Sequence, residues 1–425
     1  MLILGINSAY HESAACLVKD GKIIAAIGEE RLNRIKHGKK ARIDNPDQLP
    51  EKAIRYCLDE TSKLENRKIS LKDIDYISFS FNPKKRLDFH LKHKHPYKIK
   101  SDFGEEAAER LFYSKTISVE NIFREKGFRG KFLFLDHHDC HAASTFFVSP
   151  FGTAAILIVD GIGEFESTTL YHGRNNNMKK ILSIDYPHSL GFLWEKLSKF
   201  LGFSEYDACK VMGLAAFGDS SIYRKEFEKI VKIDKNGIFK IDDSIMRFRI
   251  EDYSEIMKLF GLKKRNKPIR EVNEKTKKYM DVVAALQEIT EKVIIRLAKY
   301  LKEKTKEKHI CLAGGVALNC AVNGKLMEEK IFEDIFIQPA AHDAGTAIGA
   351  AFYVWNILLN KSRRYVQESP YLGIEHSNDE IKEILDKKGL KYVKSGEPEK
   401  IAALLITQGN ILAWHQELCG MIPKN

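Results

Sequence analysis

The chain opens on an unbroken apolar run, Leu2 to Ile6, followed by the polar loop Asn7-Ser8-Ala9-Tyr10-His11-Glu12-Ser13. An apolar run of that length bounded by polar residues predicts a buried strand. Two more strands are predicted at Ala14 to Val18 and Lys22 to Ile27, joined by Asp20-Gly21, a type I′ hairpin signal. The same order returns at Ala154 to Val159, the loop Asp160-Gly161-Ile162-Gly163-Glu164-Phe165-Glu166, a strand Ser167 to Tyr171, a Gly/Asn turn at Gly173 to Asn177, and Ile181 to Tyr186. A strand, a polar loop and a hairpin repeated about 150 residues later predict a duplication: two homologous sheet domains facing across a cleft. Both loops would project into that cleft, where backbone N–H groups can hold a nucleotide phosphate and Asp160 a metal. Two unrelated hairpins are the plainer alternative.

The remaining pattern adds a helix over Pro50 to Leu58, strands at Ile74 to Phe79 and Phe132 to Leu135, and a helix ending near Leu201. Asp281 to Leu301 places Val283, Leu286, Val293, Leu297 and Leu301 near one stripe of an amphipathic helix, which leads into a strand at Ile310 to Ala313. Residues 219–280 are lysine-rich without a sustained period and read as an inserted lobe. The division expected is a first subdomain over 1–150, a second over 151–365 carrying the lobe, and a small α+β segment over 366–425.

Composition narrows the class. The chain has 425 residues, 44% of them hydrophobic, which is ordinary for a soluble protein of several domains. Seven scattered cysteines without a CxxC pair argue against a disulfide framework and a zinc knuckle. No apolar run reaches the roughly 18 residues of a membrane span, so no membrane partner and a cytoplasmic location are expected. The net charge of +11 comes from interleaved lysines and glutamates, a solvated pattern that also attracts anions. The most basic stretch, Lys84 to His95, is expected to be an exposed mobile loop. It lacks a fold-specific nucleic-acid signature, and no nucleic-acid partner is assigned.

The candidate chemistry lies at Asp136-His137-His138-Asp139-Cys140-His141. An Asp at the end of a strand can cap a helix, putting His137 and His141 one turn apart on one face, at metal-sharing distance. A surface or capping pair of histidines is the alternative. Asp343, after the strand-like Ile335-Phe336-Ile337, can complete a two-His, one-carboxylate set of the kind that suits Fe(II) or a similar ion. A strand running into Gly314-Gly315-Val316-Ala317-Leu318-Asn319 lets a ligand approach the backbone at a helix start. Lys210, among small residues near Gly213, can reach a phosphate or simply occupy a helix surface.

These motifs, taken together as His137-His138-x-x-His141-Ala142, Asp160-Gly161-Ile162-Gly163-Glu164, Lys210-Val211-Met212-Gly213-Leu214-Ala215, Ala313 to Asn319 and Asp343-x-Gly345, resemble the O-carbamoyltransferases of nodulation-factor and antibiotic biosynthesis. A more remote similarity runs to the tRNA threonylcarbamoyl-transferring proteins. The resemblance implies an α/β fold of duplicated actin-like (ASKHA), ribonuclease-H-like domains. It also implies a reaction in two stages: a carboxy-terminal YrdC-like domain makes carbamoyl adenylate from ATP and carbamoyl phosphate, and the amino-terminal part passes the carbamoyl group to a hydroxyl of a small acceptor. By position, His137, His141 and Asp343 would hold Fe(II) or a similar divalent metal. His11 would act as base or acceptor-binding group, with a loop hydrogen bond as the alternative, and His138 would orient its neighbours or touch substrate. Asp160, Gly161, Gly163, Lys210, Gly213, Gly314, Gly315 and Asn319 would line the nucleotide site.

The last stretch departs from the family pattern. A linker at Pro370 to Gly373, a helix from Asp379 to Leu390 and a strand at Ile411 to Gln416 resemble the start of the YrdC-like domain, but the arginine- and glycine-rich segment expected next is absent. The expectation is a transferase half, with a separate YrdC-like polypeptide and a homodimer as open possibilities for its partners. An inactive or regulatory nucleotide-binding remnant is the competing reading.

Overall fold

The computed structural model describes residues 1–93 and 98–414. Its frame is two five-stranded sheets. The first contains β1 (Leu2–Asn7), β2 (Ala14–Lys19), β3 (Lys22–Gly28), β4 (Tyr76–Phe79) and β5 (Lys131–Phe134), in the order β3-β2-β1-β4-β5. The second contains β6 (Thr153–Val159), β7 (Glu166–Arg174), β8 (Asn177–Asp185), β11 (His309–Ala313) and β12 (Asp334–Ile337), in the order β8-β7-β6-β11-β12. A small hairpin, β9 (Val231–Ile233) with β10 (Phe239–Ile241), lies between them in sequence. In each large sheet the first three strands run antiparallel and the last two add in parallel to the first. Order and sense therefore repeat strand for strand, the duplicated actin-like architecture expected from the sequence.

Alternation along β1 and β6 explains the layering, since successive side chains point to opposite faces of a sheet. Leu2, Leu4 and Ile6 enter an outer core with Ala53, Ile54, Phe112 and Phe123, whereas Ile3 faces a central core. In β6, Ala155, Leu157 and Val159 join the outer core of the second half with Val283, Leu286 and Val293 of the long helix Glu274–Thr305. Ala154, Ile156 and Ile158 face the central core. Both strands are covered on both faces, hence their unbroken apolar runs.

The central layer consists of two helices, His137–Phe146 after β5 and Thr346–Phe352 after β12. Each packs against the sheet of the opposite half as well as against the other helix. Glycine makes this approach possible. A Cβ on Gly5 of β1 would overlap the Ala347 carbonyl oxygen, and one on Gly349 would overlap the Cys140 carbonyl oxygen.

Several local expectations change. Lys84 to His93 is not a loop: Pro83–Lys92 is a helix, capped by Asn82, whose Oδ1 accepts the Lys85 N–H at 3.1 Å. Pro at the first helical position fits that start, and the buried Arg86 and His90 tie the helix inward, which the charge density of the stretch concealed. His95 lies outside the described residues. β5 is half-buried rather than buried, being an edge strand. The lobe over 219–280 has a core after all, with Phe227, Ile230, Phe239, Met246, Ile256 and Phe260 buried in the cluster that contains the long helix. Short helices and the β9–β10 hairpin change direction too often to show one period.

Among the described residues after 366 there are two helices, Asn378–Lys387 and Pro398–Thr407, neither with a buried residue. Ile411 to Trp414 forms no strand, and Ile411 is 100% exposed. A lone strand has no ladder for its backbone groups and is unstable in water. His415 and Gln416 lie outside the described residues.

Candidate metal centre and ligand cleft

The histidine helix begins at the end of β5, and its first turn has backbone N–H groups without intrahelical partners. Asp136 stands at the capping position but makes no capping bond. Its carboxylate instead accepts from Asn82 Nδ2 at 2.9 Å and Lys85 Nζ at 2.7 Å. The acceptor at the helix start is Glu164, from the loop after β6, which takes the His137 N–H at 3.0 Å and the Asn82 N–H at 2.7 Å. Burial and the neighbouring Asp136 push the Glu164 carboxyl up to about 7 despite His137. One loop of the second half thus fixes the helix that ends the first sheet.

Helical spacing brings the His137 and His141 rings together, with centroids 4.7 Å apart. Both face two carboxylates. Asp343 Oδ1 lies 3.5 Å from each Nε2, and Asp160 Oδ2 lies 3.7 Å from His137 Nε2 and 3.8 Å from His141 Nε2. One donor atom from each of the four residues falls within 4.8 Å of all the others, and all four are buried. Asp343 opens the turn leading into Thr346–Phe352, while Asp160 follows directly on β6. The set therefore sits where the central helices of the two halves begin.

His137 Nδ1 is 3.0 Å from the Ser80 carbonyl, which can only accept, so Nδ1 carries a proton and Nε2 is the nitrogen turned toward the carboxylates. Nε2 of His137 and both ring nitrogens of His141 are buried without a hydrogen-bond partner among the described residues. Burial disfavours charge on His137, yet Asp343 and Asp160 outweigh it and raise its pKa. The histidines in turn hold both carboxylates below the usual range against burial. A cation is what this geometry favours, and two imidazoles with two carboxylates fit a divalent ion such as Fe(II), Mn(II) or Zn(II).

The neighbouring glycines serve this set. A Cβ on Gly163 would come 2.8 Å from His138 Cδ2 and 3.2 Å from His137 Cβ. Gly314 has φ +92°, and its Cβ would overlap the Val159 carbonyl oxygen. The Gly315 N–H donates to Asp160 Oδ1 at 2.8 Å, so the Gly-Gly turn orients a ligand carboxylate. Second-sphere bonds of this kind fix the ligand orientation.

A cavity of about 560 Å³ opens beside the set, lined by His11, Gly161, Gly315, Asn319, Asp160 and Asp343 among others. Asn319 also caps Cys320–Glu328 through Val322 N and donates to Gln287 Oε1 at 2.8 Å. His11 Nδ1 is buried and without a partner among the described residues. His138 is not on the cleft wall: its Nδ1 meets Thr169 Oγ1 at 2.9 Å, and burial drives its pKa down to about 3. Lys210 is largely exposed and pairs with Asp207 at 2.6 Å, and neither it nor Gly213 is among the residues lining the cavity.

Sequence reading passed over four groups here. Glu12, with φ +54°, pairs with His37, and Glu30 takes the His37 N–H at 2.8 Å, forming an acidic corner at the cleft wall. Burial opposes charge on Glu12, but His342, His37 and His11 hold it down to about 2. Across the cavity, burial raises Glu195 to about 8, against the pull of Arg249 and with help from Asp160. The alternating charges of Glu29 to His37 were the only signal in the sequence, and they resemble any solvated turn.

Fold and site define a duplicated actin-like protein with a buried histidine–carboxylate set at the junction of its halves. The family model described as "Carbamoyltransferase N-terminus" matches residues 2–352, and the chain belongs to that family. It is 35% identical to an uncharacterised protein of Synechocystis sp., over 97% of this chain and 68% of that protein. It is 32% identical to the nodulation protein NolNO of Sinorhizobium fredii, over 96% of this chain and 56% of that protein. A third relative, the 3′-hydroxymethylcephem-O-carbamoyltransferase of Streptomyces clavuligerus, is 25% identical over 41% of this chain and 29% of its own length. No helix among the described residues is long and apolar enough to cross a membrane.

Proposed function

We propose that the cleft transfers a carbamoyl group from carbamoyl adenylate to a hydroxyl of a sugar-like or other small acceptor, with a divalent metal held by His137, His141, Asp160 and Asp343. The observation that carries this reading is the buried four-residue set with unpartnered imidazole nitrogens, in the ligand cleft of a carbamoyltransferase-family chain. When bound, Fe(II) or a similar ion would supply Lewis-acid polarisation and neutralise charge developing at the reacting centre.

The chain's own residues set the rest. Asp160 is oriented by the Gly315 N–H, and His137 by the Ser80 carbonyl, so both turn a donor atom into the four-residue set, Nε2 of His137 binding once it has released its proton. His11 faces the cavity and takes the proton as the acceptor oxygen attacks the carbamoyl carbon. The bond from that carbon to the phosphate oxygen breaks, and AMP leaves with the electron pair. Adenylate formation from ATP and carbamoyl phosphate belongs to a YrdC-like unit, on the same or a separate polypeptide. The test is single-turnover release of AMP from carbamoyl adenylate with a panel of sugar acceptors, followed by detection of the carbamoylated product. Transfer abolished by His11→Ala and by Asp343→Ala supports the reading; transfer by the metal-free protein, or unchanged transfer by both variants, refutes it.

A further inference from the structure

Arg249 comes from the lobe over 219–280, for which the sequence indicated no role, and its side chain lines the cleft. Its guanidinium sits beside an edge-to-face pair of aromatic rings, 5.0 Å from the Tyr186 centroid and 4.9 Å from that of Phe192. The two ring faces attract the cation and leave its N–H groups for hydrogen bonding. Of these, Nε and Nη2 are both buried, and neither has a hydrogen-bond partner among the described residues. These two N–H groups are adjacent and parallel, the pair that grips two oxygens of one carboxylate or phosphate. Leaving charged donors of this kind buried and unbonded is costly, and the acidic group that acts on Arg249 across the cavity, Glu195, is itself held largely neutral by burial.

The loop that carries Arg249 is held in place by its backbone. Arg247, with φ +46°, turns the chain just before Arg249 and pairs with Asp252. Lys196 Nζ donates to the Arg247 carbonyl at 3.1 Å and the Ile250 carbonyl at 2.6 Å, holding the loop on both sides of Arg249. Arg86, another guanidinium on the cleft wall, is fully engaged in a two-pronged pair with Glu109. On the cleft wall, among the described residues, Arg249 keeps its side-on fork buried and open.

We propose that Arg249 is a specificity-determining residue that grips an oxyanion, a phosphate or carboxylate, on a ligand of this cleft. The inference rests on the carbamoyl-transfer reading for the identity of that ligand. Its two sources are the phosphate of the adenylate and an anionic group on the acceptor. The inserted lobe thereby contributes recognition, while the duplicated core contributes the metal-ligand set.

The experiment is calorimetric titration of the full chain and its Arg249→Gln and Arg249→Lys variants with AMP, adenosine and inorganic phosphate. Unchanged thermal midpoints would establish that the variants are folded. If the adenylate is the source, Arg249→Gln weakens AMP by about ten- to a hundredfold and leaves adenosine alone, and Arg249→Lys recovers only part because it lacks the fork. If the acceptor is the source, AMP is unaffected, and phosphate bound together with adenosine weakens by the same factor. Equal losses for AMP and adenosine, or no loss for AMP and phosphate, overturn the proposal. Neither result touches the metal set, whose failure is read separately from metal content.

Discussion

Substituting Glu109 by Gln tests how the first half supports the cleft. Arg86 and Glu109 form a two-pronged pair, with Nε to Oε2 at 2.7 Å and Nη2 to Oε1 at 2.6 Å, and side chains 2% and 1% exposed. Arg86 Nη1 also donates to the Tyr10 hydroxyl at 2.5 Å, and that hydroxyl donates to the Gly163 carbonyl at 3.1 Å. Gly163 lies against His137 and His138. Glu109→Gln leaves the Arg86 charge buried without its counterion, which costs about 3–5 kcal/mol. The acid titration supplies an independent figure. Burial alone would raise the Glu109 carboxyl, but Arg86 overcomes it and holds it at about 2 against an ordinary 4.5. At about 1.4 kcal/mol per pH unit, that gap amounts to about 3 kcal/mol. Because the folded pKa is depressed, this stability is fully present above about pH 4.5 and is lost as pH falls toward 2. Urea unfolding followed by circular dichroism from pH 7 to pH 2.5 checks both values. Wild type should exceed Glu109→Gln by about 3 kcal/mol at pH 7, with the difference closing in acid. Replacing the pair by Arg86→Met and Glu109→Leu should restore much of the loss. A cost below about 1 kcal/mol, the range of exposed pairs, or a pH-independent difference, would refute the reasoning.

Two further outcomes follow from the same packing. Gly5→Ala pushes a methyl into the Ala347 carbonyl and should cost about 1–3 kcal/mol or more, whereas Gly152→Ala, with nothing within 4 Å, should stay within about 0.5 kcal/mol; scanning calorimetry compares them. Glu195, raised to about 8 in the folded chain, opposes folding progressively as pH climbs from about 5 to 8. Relative to wild type, Glu195→Gln should therefore gain stability over that range, and a pH-independent difference in urea midpoints would count against the shift.

The sheets were legible because their strands are buried on both faces. Leu2 to Ile6 and Ala154 to Val159 read as continuous apolar runs, and the hairpin after each exposed the duplication. His137, His141 and Asp343 were legible from helical spacing and from a carboxylate at a strand end. The partnership of Asp160 with them was only partly so, because it depends on a Gly315 N–H 155 residues away. Local pattern assigned the helix cap to Asp136, but a carboxylate from the other half, Glu164, took the role. The Pro83–Lys92 helix was masked by lysines, although Asn82 and Pro83 were sound start signals. Arg249 was illegible: one arginine in a lobe without periodicity gains meaning only when the fold sets it beside Tyr186 and Phe192 on the cleft wall.

The buried histidine–carboxylate set is proposed to hold one divalent ion. Elemental analysis of anaerobically purified chain, beside His141→Ala, Asp160→Ala and the off-cleft control Lys210→Ala, tests this most directly. The account predicts one divalent ion per chain in wild type and control, lost from both ligand variants. A wild type that stays metal-free after reconstitution, or an ion retained in both His141→Ala and Asp160→Ala, would contradict it.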